Sequence, residues 1–292
     1  MPMLLIKGSY EIVGTQPDGD TVHFRPDKPE EWDFVCGPYR VKRNASGRGK
    51  LRLEGIDALE THYSRTGPEV AQPPPLPAKA REELLSWLGF TSVVWGADGK
   101  VASTTPASVP GFVLTRGADP SNRCIAFAGL GSHPADSGTH VFVDSALLQS
   151  TLNYHLVSEG LVYPLYYGTL FYGLRDELTL AFQQAQAAAK GVWAVDKTLS
   201  GATVTGLDSI TDVGPTAEGM VLWPKLFRRL VDYLNLGDPD LSGFRAYLDQ
   251  EADKFLVVST GQVTTGLDEV VDVSGTTVKM TRPPEDLVFT EG

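Results

Sequence analysis

The sequence predicts an α+β fold: an antiparallel β-barrel with helices packed around it, followed by a smaller mixed α/β domain. Three observations carry this expectation. The first 63 residues alternate apolar and polar in strand fashion, in LLIKGSYEIV (4–13), DTVHFR (20–25) and KLRLEGI (50–56). Strands, a helix, more strands and two further helices then follow in an order that suits helices set against one antiparallel sheet. Beyond Trp193 the texture changes to short runs rich in Val, Thr and Gly, which marks a second domain over 201–292.

Each element has its local reason. The apolar start MPMLLIKGSYEIV lacks a basic leader, a long apolar stretch and a small-residue cleavage site, so it reads as a first strand. A long loop runs from Pro26 to Lys50. Its second half, YRVKRNASGRGK, carries Arg40, Lys42, Arg43, Arg48 and Lys50, which suits either contact with a phosphate backbone or a solvated flexible loop. SRTGPEVAQPPPLP (64–77) is a Pro-rich connector that cannot stay helical. PAKAREELLSWLGF is a helix with Pro near its start, Leu84, Leu85 and Leu88 on one side and Gly89 at its end. TSVVWGA, PGFVLTR and NRCIAFAGL read as strands. SALLQSTLNYHLVSEGL reads as a second helix ending near Gly160, and LRDELTLAFQQAQAAAK as a third closing on Gly191. In the C-terminal part GATVTGLDSITDVG and GQVTTGLDEVVDVSG share TGLD at 205–208 and 265–268, each followed by a DV pair. They read either as related strands flanking the helices PKLFRRLVDYLNL and SGFRAYLDQEA, or as chance similarity. The last dozen residues are expected to be loosely held.

Composition narrows the function. No window approaches the ~18 uninterrupted apolar residues of a spanning helix, so no membrane partner is expected. Cys36 and Cys124 fit no metal spacing and, without an export signal, are expected as reduced thiols in a cytoplasmic protein. The five histidines show no paired spacing, which argues against zinc. No P-loop, dinucleotide fingerprint or nucleophile elbow is present, and ADSGTH (135–140) is a loop. The net charge of −11 speaks against general nucleic-acid affinity, but it is uneven. Residues 201–292 hold 7 Lys+Arg against 15 Asp+Glu, a net of −8, which leaves 25 − 7 = 18 against 36 − 15 = 21, a net of −3, in residues 1–200. The acidic C-terminal domain is therefore expected to bind a protein partner, to regulate the site by competing with nucleic acid for the basic loop, or to add solubility.

The chemistry gathers in two short segments. PDGDTVHF (17–24) taken alone is a hairpin turn. Farther on, LRLEGIDALETHY (51–63) sets Arg52, Asp57 and Glu60 where the strand alternation stops. Aspartates from adjacent strand ends suit a hard cation, which prefers oxygen ligands. A cation there would polarise a phosphoryl oxygen. Glu60 would orient or deprotonate a water, and arginines would neutralise charge on the equatorial oxygens. His62 is read as a loop residue. Tyr163, Tyr166, Tyr167 and Tyr172 suit base stacking or ordinary packing.

Taken together, DGDT (18–21), RLEGIDALE (52–60), DPSNR (119–123) and GVWA (191–194) resemble the successive signatures of the staphylococcal nuclease-like, or thermonuclease, family. The resemblance covers about residues 3–196 and rests most on R-x4-D-x2-E after DGDT. It implies a five-stranded OB-type barrel with three packed helices, and a calcium-dependent phosphodiesterase acting on DNA, RNA or both. Magnesium or manganese is the alternative ion. It implies that Asp20, Asp57 and the carbonyl of Ala58 bind the metal, that Glu60 positions the attacking water, and that Arg52 and Arg123 grip the phosphate. Tyr166 falls where the family sets a tyrosine against the nucleotide, and Arg40, Lys42 and Arg43 are added as substrate-binding candidates from the basic loop. The sequence departs from the family at Pro120, Ser121 and Asn122, where a Lys-Tyr pair is common, and in its longer loops. A catalytically inactive barrel that binds nucleic acid or protein is the alternative reading.

Overall fold

The computed structural model describes residues 1–212, 220–237 and 240–290. Three strands come first, β1 (Pro2–Tyr10), β2 (Thr21–Pro26) and β3 (Gly49–Leu53), and β4 (Ile56–Ala58) follows a tight turn. Helix α1 (Leu76–Trp87) leads into a two-stranded hairpin, β5 (Ser92–Trp95) with β6 (Val101–Thr105). Two longer strands, β7 (Val109–Ala118) and β8 (Cys124–Leu130), complete the barrel. Its order is β2-β3-β8-β7-β1, closed by β1 pairing with β2, and β9 (His140–Phe142) adds to β1. The sequence suggested an antiparallel barrel; the closed five-stranded ring contains one parallel pair, β3 with β8, as is consistent with an OB-type barrel. The pattern behind closure is visible in β1 and β7, whose central residues are buried on both sides.

Helices cover the barrel. The expected second helix is two, α2 (Ser145–Gln149) and α3 (Leu152–Ser158). The break lies at Ser150–Thr151, where Thr151 turns extended and its side chain caps the amide of Tyr154. Short strands β10 (Val162–Pro164) and β11 (Tyr166–Tyr167) precede α4 (Tyr172–Ala187). Cys36 is an exposed free thiol and Cys124 a buried one. Among the described residues no helix is long and apolar enough to cross a membrane.

The C-terminal part contains β12 (Ala202–Thr203), α5 (Pro224–Leu234), α6 (Phe244–Gln250), β13 (Lys254–Val257), β14 (Gln262–Thr265), β15 (Val271–Ser274), β16 (Thr277–Met280) and β17 (Leu287–Phe289). The two TGLD segments form matching single turns, closed by Ile210 N–H to Leu207 O and by Val270 N–H to Leu267 O. The second DV pair lies in β15, whereas Val213 of the first falls outside the described residues. The last dozen residues are not loosely held as expected where they are described: β17 is buried and runs parallel to β11 and antiparallel to β13, and 291–292 lie outside the described residues.

Two hydrophobic clusters form the interior. One fills the barrel and the faces of α1, α3 and α4. The other holds the C-terminal side chains together with Leu59, Val70, Tyr163, Leu165 and Val192. The core therefore runs across the boundary expected at residue 200, because the C-terminal segment buries its apolar face against the strand ends that carry the candidate site.

Candidate functional site

The barrel register sets the site. Thr21 of β2 lies opposite Arg52 of β3, so Asp20, one residue earlier, stands beside the Arg52 side chain. A tight turn delivers Asp20: Asp18 and Thr21 bridge, and the amide of Leu53 donates to the Asp20 carbonyl at 2.9 Å. Gly19 is required at this turn by close approach, since a Cβ there would sit 2.6 Å from the Ala58 Cβ. Between β3 and β4 the chain reverses at Gly55, whose φ of +78° only glycine adopts readily. That reversal brings Asp57 back alongside Asp20, in register with Tyr163 of β10.

The charged side chains form a continuous chain: Asp20, Arg52, Asp57, Arg228, Glu60. Arg52 pairs with Asp20 and donates from Nη2 to Asp57 Oδ1 at 2.7 Å. Arg228, on α5, donates from Nη2 to Asp57 Oδ2 at 2.9 Å and from Nη1 to Glu60 Oε1 at 2.5 Å. Asp57 is 1% exposed, against 15% for the Arg52 and Glu60 side chains and 23% for Arg228, so the hub of the chain is dry and the Arg228–Glu60 end is the more open one. Asp20 also accepts from the Ala58 amide at 2.8 Å and the Thr21 hydroxyl at 3.0 Å.

These surroundings separate the carboxylates. Burial works against the ionised form of Asp20, but Arg52 and the Ala58 amide outweigh it and hold the group below its ordinary value. Asp18, half-buried, is pushed up to about 6 by desolvation and by the neighbouring charge of Asp20. Glu60 is pushed up to about 7, chiefly by burial with Asp57 and Asp18 adding, while Arg228 opposes the rise. One acid stays charged and another titrates near neutrality, the separation that acid–base work requires.

Glu60 is also held through its backbone. Its amide donates to Gln72 Oε1 at 3.1 Å, and its carbonyl accepts from the Gln72 amide at 2.9 Å. Gln72, 1% exposed, spends its own side-chain N–H on the carbonyl of Leu222 at 2.8 Å. The Pro-rich connector thus clamps the Glu60 loop to the C-terminal segment. Asp232, fully buried on α5, accepts from Tyr63 at 2.8 Å, Arg65 at 3.0 Å and Thr66 at 2.8 Å, and fixes the same helix from its other end.

Arg123 enters from the opposite side. In DPSNR the backbone turns through Asn122, with φ of 63°, and Asp119 accepts from the Arg123 amide at 2.8 Å and from its Nε at 2.7 Å. The basic loop docks on this turn, with Lys42 N–H on the Asn122 carbonyl at 2.9 Å and Asn122 Nδ2 on the Arg40 carbonyl at 2.8 Å. Trp32, buried in the first half of that loop, anchors it by donating to the Gly47 carbonyl at 3.0 Å.

A polar cavity of about 430 Å³ lies over the charged chain, lined by the acids Asp18, Asp20 and Glu60 and by the cations Lys50, Arg52, Arg123, Lys225 and Arg228. Lys50 and Arg123 also line a second depression of about 550 Å³ that continues past Lys42, Arg43 and Arg48. A smaller, largely apolar hollow of about 230 Å³ opens between Arg52, Arg123 and Tyr167.

Most of the expected site residues meet here. Asp20, Arg52, Ala58, Glu60 and Arg123 line the polar cavity, and Asp57 lies beneath it, bonded to Arg52 and Arg228. Lys42 and Arg43 lie on the adjoining depression. One expectation is corrected. Tyr166 is fully buried with its hydroxyl 2.9 Å from Thr179 Oγ1, so it has no face to offer a nucleotide; its neighbour Tyr167 faces the cavity instead. Arg40 turns back onto its own loop, donating to the Val35 carbonyl at 3.3 Å, and does not line the depression. His62, read as a loop residue, does line the cavity and lies 2.9 Å by Nδ1 from Thr61 Oγ1.

Sequence reasoning missed Arg228, Lys225 and Gln72, and named Tyr167 only within an aromatic run suited to stacking or packing. A signal for the first two was present: three of the seven cations of the acidic C-terminal stretch, Lys225, Arg228 and Arg229, fall within five residues of one helix. Among the described residues, the ion pairs of the C-terminal acids do not include the expected contact with the basic loop. Asp253 pairs with Lys225 at 2.8 Å and Arg229 at 2.8 Å, Glu251 pairs with Arg65 and Arg229, and it is cations that α5 presents to the cavity.

The carboxylates and the Ala58 carbonyl are the oxygen donors that a hard divalent cation takes. As the side chains lie, those carboxylates are committed to Arg52, Arg228 and the Ala58 amide, and no three His, Cys, Asp or Glu side chains among the described residues are set to hold a metal ion. The chain matches no protein-family model and no curated protein.

Proposed function

We propose that this chain is a divalent-metal-dependent phosphodiesterase, a nuclease of the staphylococcal nuclease-like kind, acting on DNA, RNA or both. What supports the reading above all is convergence: two aspartates, a glutamate and two arginines, spread from residue 20 to residue 123, gather at one polar cavity. Asp20, Asp57 and the Ala58 carbonyl would hold a divalent cation, calcium in the first instance, which would lend positive charge to the phosphoryl oxygens. The side chains do the rest. Arg52 and Arg123, both lining the cavity, bind the non-bridging oxygens of the phosphodiester and stabilise the charge that builds on them. Glu60, poised at about 7, orients a water and takes its proton as the water oxygen attacks phosphorus and the ester P–O bond breaks. The apolar hollow beside Tyr167 suits a nucleobase, and Lys42, Arg43, Arg48 and Lys50 suit the phosphates that follow.

The direct test is cleavage of single- and double-stranded DNA and RNA with calcium, magnesium, manganese or chelator. Ion-dependent cutting of at least one substrate is expected; no cutting of any substrate with any ion contradicts the reading. A second reading, a nucleic-acid-binding module without cleavage, draws on one observation: guanidinium groups occupy Asp57 and Glu60. Retained binding with no cutting would favour it.

A further inference from the structure

Arg228 lies at the cavity on Asp57 and Glu60, yet neither reading of the site gives it a part in holding substrate. It reaches the cavity from a helix whose root is fixed: Leu226, Phe227, Leu230 and Val231 on either side of it are buried. Its guanidinium therefore moves by side-chain rotation alone, and its side chain is 23% exposed towards the solvent-filled side. Each of its carboxylate partners has support elsewhere. Asp57 keeps Arg52 at 2.7 Å, and Glu60 keeps the backbone clamp of Gln72. Releasing Arg228 leaves neither loop unheld.

The charge around the cavity sets what Arg228 exchanges its carboxylates for. Asp18, Asp20 and Glu60 line the same space, and a phosphodiester entering it meets their repulsion. Two of the opposing cations are already committed at one edge: Lys225 to Asp253 at 2.8 Å, and Arg123 to Asp119 through Nε. A phosphate oxygen offers a guanidinium the same bidentate, charge-assisted geometry that the carboxylates give it now. The exchange swaps one set of charge-assisted bonds for another. It also frees Asp57 and Glu60 from their second cation.

We infer that Arg228 is a third phosphate-binding arginine, delivered to the barrel site by the C-terminal segment, and that it trades Asp57 and Glu60 for a backbone phosphate of bound nucleic acid. The C-terminal segment is then half of the substrate site rather than an appendage. This rests on the nucleic-acid reading of the cavity but not on cleavage or on a metal.

The test is binding of a short dye-labelled single-stranded DNA to the full-length protein in chelator, by fluorescence anisotropy across a salt series. Arg228→Gln weakens binding about tenfold at low salt, and the slope of log affinity against log salt falls by about 0.7, the share of one phosphate contact on a single strand. Arg228→Lys keeps the wild-type slope with a severalfold loss of affinity. Glu60→Gln, which loosens Arg228 from its shortest partner, tightens binding, and adding Arg228→Gln to it abolishes that gain. An Arg228→Gln protein that melts like wild type and keeps both affinity and slope overturns the inference. So does a Glu60→Gln gain that survives in the double variant, because Arg228 would then act only by neutralising Glu60. Should Arg228→Gln fail to fold, Arg228→Lys with a reduced slope overturns it equally. A wild type that binds with the Arg228-dependent slope yet cuts nothing with any ion removes the phosphodiesterase reading and leaves this one standing. A wild type that cuts but shows no Arg228 dependence in binding does the reverse.

Discussion

Replacing Asp57 by Asn removes one charge from the driest point of the site while keeping its shape, and the structure sets the cost. Asp57 is 1% exposed and bonds Arg52 at 2.7 Å and Arg228 at 2.9 Å. At a charge separation of ~4 Å and an effective dielectric of ~20, each pair contributes about 4 kcal/mol of attraction. Against this sum stand the desolvation of Asp57 and its repulsion from Asp20 and Glu60, both of which Asn relieves. Arg52 keeps Asp20 and Arg228 keeps Glu60, so neither guanidinium is left wholly uncompensated. A net loss of ~3 kcal/mol, at the low end for breaking a buried pair, is expected. With an unfolding entropy of ~2.1 cal/mol/K per residue, a chain of 292 residues should melt ~5 °C lower. Differential scanning calorimetry at neutral pH, in low salt and in ~1 M salt, measures it; the difference should persist at high salt because the pair is buried. An Asp57→Asn protein as stable as wild type, or more stable, would refute the reasoning. Repulsion among the acids would then exceed the arginine bonds, as happens at sites kept strained for function.

Four further outcomes are expected. The cleavage rate should climb about tenfold per pH unit below about 7, where Glu60 titrates, and level off above; a flat profile across that range removes Glu60 as base. The same upward shift from 4.5 means that the stability contributed by protonated Glu60 is present at acid pH and lost as pH rises through about 7, a loss that Glu60→Gln should abolish in melts at pH ~8. Tyr167→Ala should weaken oligonucleotide binding by ~1–3 kcal/mol, whereas Tyr166→Phe should leave it unchanged; the opposite pattern would restore Tyr166 to the substrate. Phe227→Ala should cost ~3–5 kcal/mol in chemical denaturation, since Phe227 is fully buried where α5 meets Tyr63. A loss under ~1 kcal/mol would mean that α5 is not seated as described.

The barrel was legible because its strands alternate and its turns carry Gly and Asp where reversal needs them. Asp20, Arg52 and Glu60 were legible for a related reason: they sit where that alternation stops, at strand ends and turns. The parallel pairing of β3 with β8 was not, since period-two alternation is the same for either direction. The split between α2 and α3 turned on one side-chain cap at Thr151, which the helical periodicity on either side masks. Tyr166 and Tyr167 show the limit most plainly. Adjacent residues in a strand face opposite ways, and a register of one residue separates a core hydroxyl bonded to Thr179 from a ring on the cavity. Arg228 lay beyond reach because its partners are about 170 positions away (228 − 57 = 171). Net charge described its segment as acidic, yet charge acts locally: Asp253 is spent on Lys225 and Arg229, and Lys225 and Arg228 are what α5 turns to the site.

The most direct test of the account is single-turnover cleavage by wild type and Glu60→Gln with calcium, run beside oligonucleotide binding in chelator. The account predicts that Glu60→Gln binds at least as tightly as wild type while its cleavage rate falls by ~10²-fold or more, the loss expected of a missing general base. Cleavage by Glu60→Gln at the wild-type rate would contradict it.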